Sequence, residues 1–185
     1  LGTSEPSGRA EMAALRAAVT KPPGQDPEIW HLTSVPGTDG AGDEPTHEEW
    51  AVHSAMTLYA VHQQSRTDPM CVPGRGIGHA ARKLVGPAKE ENPSARARFN
   101  ALVTSTTFSE LRRHLRSLVS QLRSKKIVLD YAMLADDLVA FQRPGGAKNV
   151  RLRWSRQYAF RSTPPDASDA SSDSPFSPSA PTSEN

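Results

Sequence analysis

Apolar residues recur at intervals of three and four through most of the first 160 positions, and strand-like alternation is hard to find. This pattern predicts an all-α chain of about seven helical segments. The first runs over roughly 8–19, where Met12, Leu15 and Val19 share a face until "KPPG" stops it. In "DPEIWHL" the sequence places Asp26 as N-cap and Pro27 at the first helical position, with Trp30 as an anchor. Residues 33–45 have the composition of a loop. Thr46 and Glu49 are spaced for a capping box, and the next helix, of about five turns, points Ala51, Ala55, Leu58, Tyr59 and His62 inward. A helix near 76–85 buries Ile77, Ala81, Leu84 and Val85. Another, opened by Asn92 and Pro93, buries Ala95, Phe99, Leu102 and Val103.

The stretch 108–126, "FSELRRHLRSLVSQLRSKK", has the most legible pattern. Thr107 and Glu110 have capping-box spacing, and Phe108, Leu111, Leu115, Leu118, Val119 and Leu122 fall within about 100° of arc on a helical wheel. Arg112, Arg116 and Arg123 line up beside that stripe, at about 100° to 140° from Leu111. Asp130 caps a helix burying Tyr131, Leu134, Leu138 and Phe141, which "RPGG" ends. A last helix over about 147–160 buries Val150, Trp154 and Tyr158 and displays Arg151, Arg153 and Arg156. The organisation expected is two small helical bundles, 1–66 and 74–161, and then a disordered acidic Ser/Pro tail over 162–185.

Charge sharpens this division. The net charge is +2, but residues 1–73 hold four basic and ten acidic groups, residues 74–162 eighteen and six, and residues 163–185 none and four. Thirteen of the eighteen basic residues are arginine, which suits bidentate contact with phosphate. Such a segment attracts a polyanion. With one cysteine, Cys71, there is no intramolecular disulfide and no cysteine-based zinc site. No apolar run approaches the length of a membrane span, and no signal-peptide layout opens the chain; the reading is a soluble, cytoplasmic protein.

Catalytic patterns do not fit. "GRGIGHAARK" has glycines at 74, 76 and 78 but neither dinucleotide-fingerprint nor Walker spacing. "HEEWAVH" lacks the i, i+4 histidine pair of a metalloprotease helix, and adjacent Asp136 and Asp137 diverge by about 100° on a helix. The chain reads as a non-enzyme without metal or cofactor. Its chemistry is binding, through arginine and lysine on a phosphate backbone with little base readout. Trp154, Tyr158 and Phe160 are the only aromatics near the basic positions, and the periodicity of the first two favours core.

"GIGHAARKLV", "ARFNALVTS", "LRRHLRSLVSQLRSKKIVLDYAMLADDLVAF" and "VRLRWSRQYAF", taken in that order, resemble the CasB family. CasB proteins are the small subunit of the type I-E CRISPR surveillance complex Cascade, an antiviral defence assembly. "RAEMAALRAAV" and "DPEIWHL" also fit, so the resemblance covers about residues 8–160. It implies an all-helical, non-catalytic protein that works as a pair of copies against the crRNA-bearing backbone subunits and the large subunit. There it would stabilise the R-loop near the target and displaced DNA strands. By position it assigns nucleic-acid contact to Arg98, Arg116, Arg153 and Arg156; local charge adds Arg75, Arg82, Lys83, Arg112, Arg123, Lys125, Lys126 and Arg151. Members usually carry a helix and an initiator methionine ahead of the position of Leu1, which implies a further N-terminal element. The alternatives are a helix-turn-helix DNA-binding regulator, which the length of the helix in the 108–126 stretch disfavours, and a helical protein-interaction module.

Overall fold

The computed structural model describes residues 6–160 except residue 39; the acidic tail expected over 162–185 lies outside the described residues. The described chain is all-α. Its helices are α1 (Pro6–Ala17), α2 (Trp30–Thr33), α3 (His47–Gln63), α4 (Ile77–Val85), α5 (Pro93–Thr104), α6 (Phe108–Ser124), α7 (Tyr131–Gln142) and α8 (Gly146–Ala159), with 3-10 turns at Pro27–Ile29 and Ala88–Glu90. An isolated parallel bridge joins Cys71 to Leu129.

Most caps form as their sequences dictate. Thr46 and Glu49 make a reciprocal capping box on α3, and the side chains of Asn92 and Asp130 accept from Ala95 N and Met133 N at the starts of α5 and α7. Two expectations are corrected. Thr107 caps α6 through Glu110 N, but the Glu110 carboxylate reaches back to Thr106 N, one residue short of a box. Asp26 makes no side-chain cap; its carboxylate instead takes Lys21 Nζ at 2.8 Å, tying the two ends of the 21–26 loop together.

The main core gathers the inward faces of α3 to α8: Ala51, Ala55 and Leu58 meet Leu111, Leu115, Leu118 and Leu122, then Leu134, Leu138 and Trp154. Helix α3 lies against α7 and α6, α4 lies against α8, and α5 lies against α6. A smaller cluster, Met12, Leu15, Ala18, Ile29 and Ala60, fastens α1 to α3. Trp30 is not the anchor here. Its neighbour Ile29 takes that place, while Trp30 is 52% exposed and donates its Nε1–H to Gly24 O. One residue along a helical turn rotates the side chain by about 100°, enough to carry Trp30 off the inward face.

The glycines of "GRGIGHAARK" have packing reasons. Gly76 caps α4 with extended backbone, and a Cβ on Gly78 would overlap the Trp154 carbonyl oxygen and Tyr158 N of α8. Gly78 therefore permits α4 and α8 to meet backbone to backbone, and its N–H donates to Gln157 Oε1 at 3.0 Å.

Candidate nucleic-acid interface

Three of the basic residues singled out in the sequence come together. Arg75 precedes α4, Arg82 and Lys83 lie on its outer face, and all three line a cleft of about 470 Å³ with His79, the 127–128 segment and Phe160. The α4 stripe of Ile77, Ala80, Ala81, Leu84 and Val85 is buried, so helical geometry leaves positions 82 and 83 on the outside. Arg82 is braced, donating to Gly86 O with its guanidinium 5.7 Å from the Tyr158 ring. Arg75 and Lys83 are exposed. Phe160, the C-cap of α8, is 66% exposed and meets His79 edge-on at 6.4 Å. Trp154 is fully buried, and Tyr158 stacks on Phe99 at 4.7 Å; of the three candidate aromatics, Phe160 is the one left to face a ligand.

The arginines along α6 have different environments. Arg112 turns inward: it is half-buried, its guanidinium lies 4.6 Å over the Trp50 ring, and it donates to the Val19 and Lys21 carbonyls. Burial lowers its pKa from the ordinary arginine value. This side chain clasps the loop after α1 and does not stand free for phosphate. Arg116 is exposed and lines a small hollow with Arg112, Arg113 and Thr20. Arg123 donates to Gln64 Oε1, and its own carbonyl accepts from Arg66. Lys125 and Lys126 come next, both exposed at the end of α6.

Elsewhere the basic groups are dispersed or occupied. Arg98 donates to Ser117 of α6 and to Ser94. Ser117 lies about 100° beyond Arg116 on the wheel, so Arg98 sits across the outer surface of α6 from the line of Arg112, Arg116 and Arg123. Arg151 donates to Ser105 O and packs over Phe141. Arg153 pairs with buried Asp137, which also accepts from Trp154 Nε1. Arg156 is exposed beside Leu152 and Arg153. The expected set of free guanidiniums is thus interrupted, with Arg112, Arg151 and Arg153 each held by a partner in the chain itself, Arg153 from the surface.

Sequence reasoning missed a second basic group. Arg9 and Arg16 of α1 and Arg66 after α3 line a hollow of about 650 Å³ together with Gln64, the residue Arg123 bonds. Segment charge concealed them, because the ten acidic groups of residues 1–73 outnumber them. The seven-residue spacing of Arg9 and Arg16, two turns apart on one face, was a signal in the sequence that could have found them. Asp137 was also missed as a buried group: adjacent Asp136 is exposed, as their divergence on the helix requires. Among the described residues no cluster of three His, Cys, Asp or Glu could hold a metal, and no helix is long and apolar enough to cross a membrane.

Comparison with known proteins places these features in a family. Residues 11–158 match the model of CRISPR-associated protein Cse2. The fold superposes on CasB from Thermobifida fusca with a TM-score of 0.69 and 36% sequence identity, covering 83% of this chain and 85% of that one. CasB from Thermus thermophilus aligns with a TM-score of 0.63 and 25% identity over 84% of this chain and 89% of that one. A chain of a CRISPR RNA-guided surveillance complex shares the fold, with a TM-score of 0.65 and 22% identity over 84% and 83% of the two chains. No curated protein matches the sequence.

Proposed function

The chain belongs to the CRISPR-associated Cse2 family, and from that premise we propose that it is the non-catalytic small subunit of a type I-E Cascade complex, holding nucleic-acid backbones as the R-loop opens in antiviral defence. Its partners in this reading are crRNA, the target and displaced DNA strands, the backbone and large subunits, and a second copy of itself, assembled in the cytoplasm. The observation that carries the reading is the cleft where Arg75, Arg82 and Lys83 stand beside exposed Phe160. Cations gathered in one cleft neutralise phosphates without reading sequence, and an exposed ring gives an unpaired base a face to stack on. Base pairing to the guide would supply specificity, leaving the protein to grip the strand. Arg116, Arg123, Lys125, Lys126 and Arg156 extend the positive surface outside the cleft.

Arg75→Ala with Lys83→Ala removes two exposed side chains that brace nothing among the described residues, so the fold is expected to survive. Binding of fluorescent oligothymidylate should weaken several-fold at low salt. The slope of log K against log salt should flatten by about 0.7 for each phosphate that the variant no longer neutralises on a single strand. Unchanged affinity and slope would remove the cleft from the interface. Phe160→Ala in the same assay should weaken single-strand binding by about 1 kcal/mol or more with the salt slope intact, because stacking releases no counterions.

A further inference from the structure

The described chain ends at Phe160, which is itself a wall of the basic cleft. Beyond it the sequence continues through Arg161 into 24 residues that carry Asp166, Asp169, Asp173 and Glu184 and no further basic group. We propose that this acidic C-terminal segment docks in the cleft lined by Arg75, Arg82 and Lys83 and competes there with nucleic acid. The competition rests on the function proposed above; the docking itself does not.

Reach, charge and tethering support it independently. Asp166 is six residues beyond Phe160, and an extended chain covers roughly 3.3 Å per residue, about 20 Å in all, more than the span of a 470 Å³ cleft. Asp169 and Asp173 follow within the next seven residues, so three carboxylates stand within a short length of chain against three cations. A segment rooted on the rim of its own site has an effective concentration on the order of millimolar, so individually weak exposed ion pairs suffice to populate the docked form. Such a device rejects weak, non-specific strands, which cannot displace the segment, and yields to a strand held at many other points.

Two readouts on the full-length chain test this. In the first, a zero-length carbodiimide reagent is used at low protein concentration and low salt. It should join Lys83 to Asp166, Asp169 or Asp173 within one chain, and added oligothymidylate should suppress that product. In the second, Asp166→Asn, Asp169→Asn, Asp173→Asn and Glu184→Gln are combined. The combined variant should bind oligothymidylate roughly threefold to tenfold more tightly at low salt, with the gain vanishing toward 0.5 M salt, where the screening length falls below about 5 Å. In an Arg75→Ala, Lys83→Ala background the same neutralisation should change nothing. Absence of the Lys83 product, its appearance only between two chains, or equal affinity of neutralised and native chains would overturn the proposal. If no form of the chain binds a strand while the Lys83 product persists, the docking holds and the competition, together with the functional reading beneath it, fails.

Discussion

Lowering the pH from 7 to 5 is expected to remove about 4 kcal/mol of folding stability, and two buried histidines account for the loss. His53 and His62 of α3 are 1% and 0% exposed, and burial pushes the pKa of each down from 6.5 to about 4. Arg112 beside His53 lowers it further, against Asp26, which raises it; at His62 a hydrogen bond to the Ile127 backbone raises the value in part, against Arg66 and Arg123, which lower it. The unfolded chain takes up both protons near pH 6.5, whereas the folded chain resists until about pH 4. Stability is therefore complete above 6.5 and lost as pH falls through that window, at about 1.4 kcal/mol per unit for each histidine. The carboxylates whose pKa is depressed, Asp26, Glu49 and Glu110, act only below their ordinary values of 3.8 to 4.5, outside this interval.

For a chain of this size the loss corresponds to a fall in Tm of roughly 8 to 16 °C. Thermal unfolding at pH 7, 6 and 5 measures it. His53→Leu combined with His62→Phe should level the profile over this range, even though the second change removes the His62 Nδ1 contact with the Tyr131 hydroxyl at 2.9 Å. A native midpoint that does not move between pH 7 and 5 would show that these rings titrate normally or are not enclosed.

Asp137→Ala should destabilise the fold by about 3 kcal/mol, and Asp137→Asn by less than about 1. The Asp137 side chain is 2% exposed on α7 and accepts from Trp154 Nε1, the largest fully buried side chain, while Arg153 approaches it from the surface. Burial raises its pKa from 3.8, and the Trp154 and Arg153 contacts offset part of that rise without reversing it. The negative charge is thus a burden at neutral pH, relieved as the pH falls through the raised pKa toward 3.8; the acceptor is what the fold uses. Alanine strands the indole N–H in the core and leaves a void, whereas asparagine keeps an acceptor and removes a charge. Arg153, its side chain 48% exposed, finds water when its partner is neutral. Urea unfolding of the two variants decides the matter. Equal losses would mean that the ion pair, and not the Trp154 hydrogen bond, holds α7 to α8.

How much of this was legible in the sequence depends on how local the physics is. The α6 stripe of five buried residues, Leu111 to Leu122, was legible because a helix alone fixes which side chains share a face. So were the caps at Thr46, Asn92 and Asp130, each of which closes within three residues. The family could also be reached from ordered motifs, and the Cse2 match over 11–158 confirms it.

The candidate site was less legible. Helical periodicity places Arg112 beside the buried edge, but its partners, Trp50 and the carbonyls of Val19 and Lys21, arrive from segments more than sixty residues away. Arg9 and Arg16 were hidden by a count that weighs neighbours in sequence, whereas a field is summed over neighbours in space.

The sequence by itself determined the helices, their buried faces and the excess of positive charge in the second half, since each is set by spacing within a few turns. Tertiary structure decided which cations remain free and which brace the fold. It also brought Arg75, Arg82 and Lys83 to the exposed ring of Phe160, some eighty residues on. The reason is physical: a guanidinium is as ready to satisfy a backbone carbonyl as a phosphate, and only the packing of distant helices decides which of the two comes within reach.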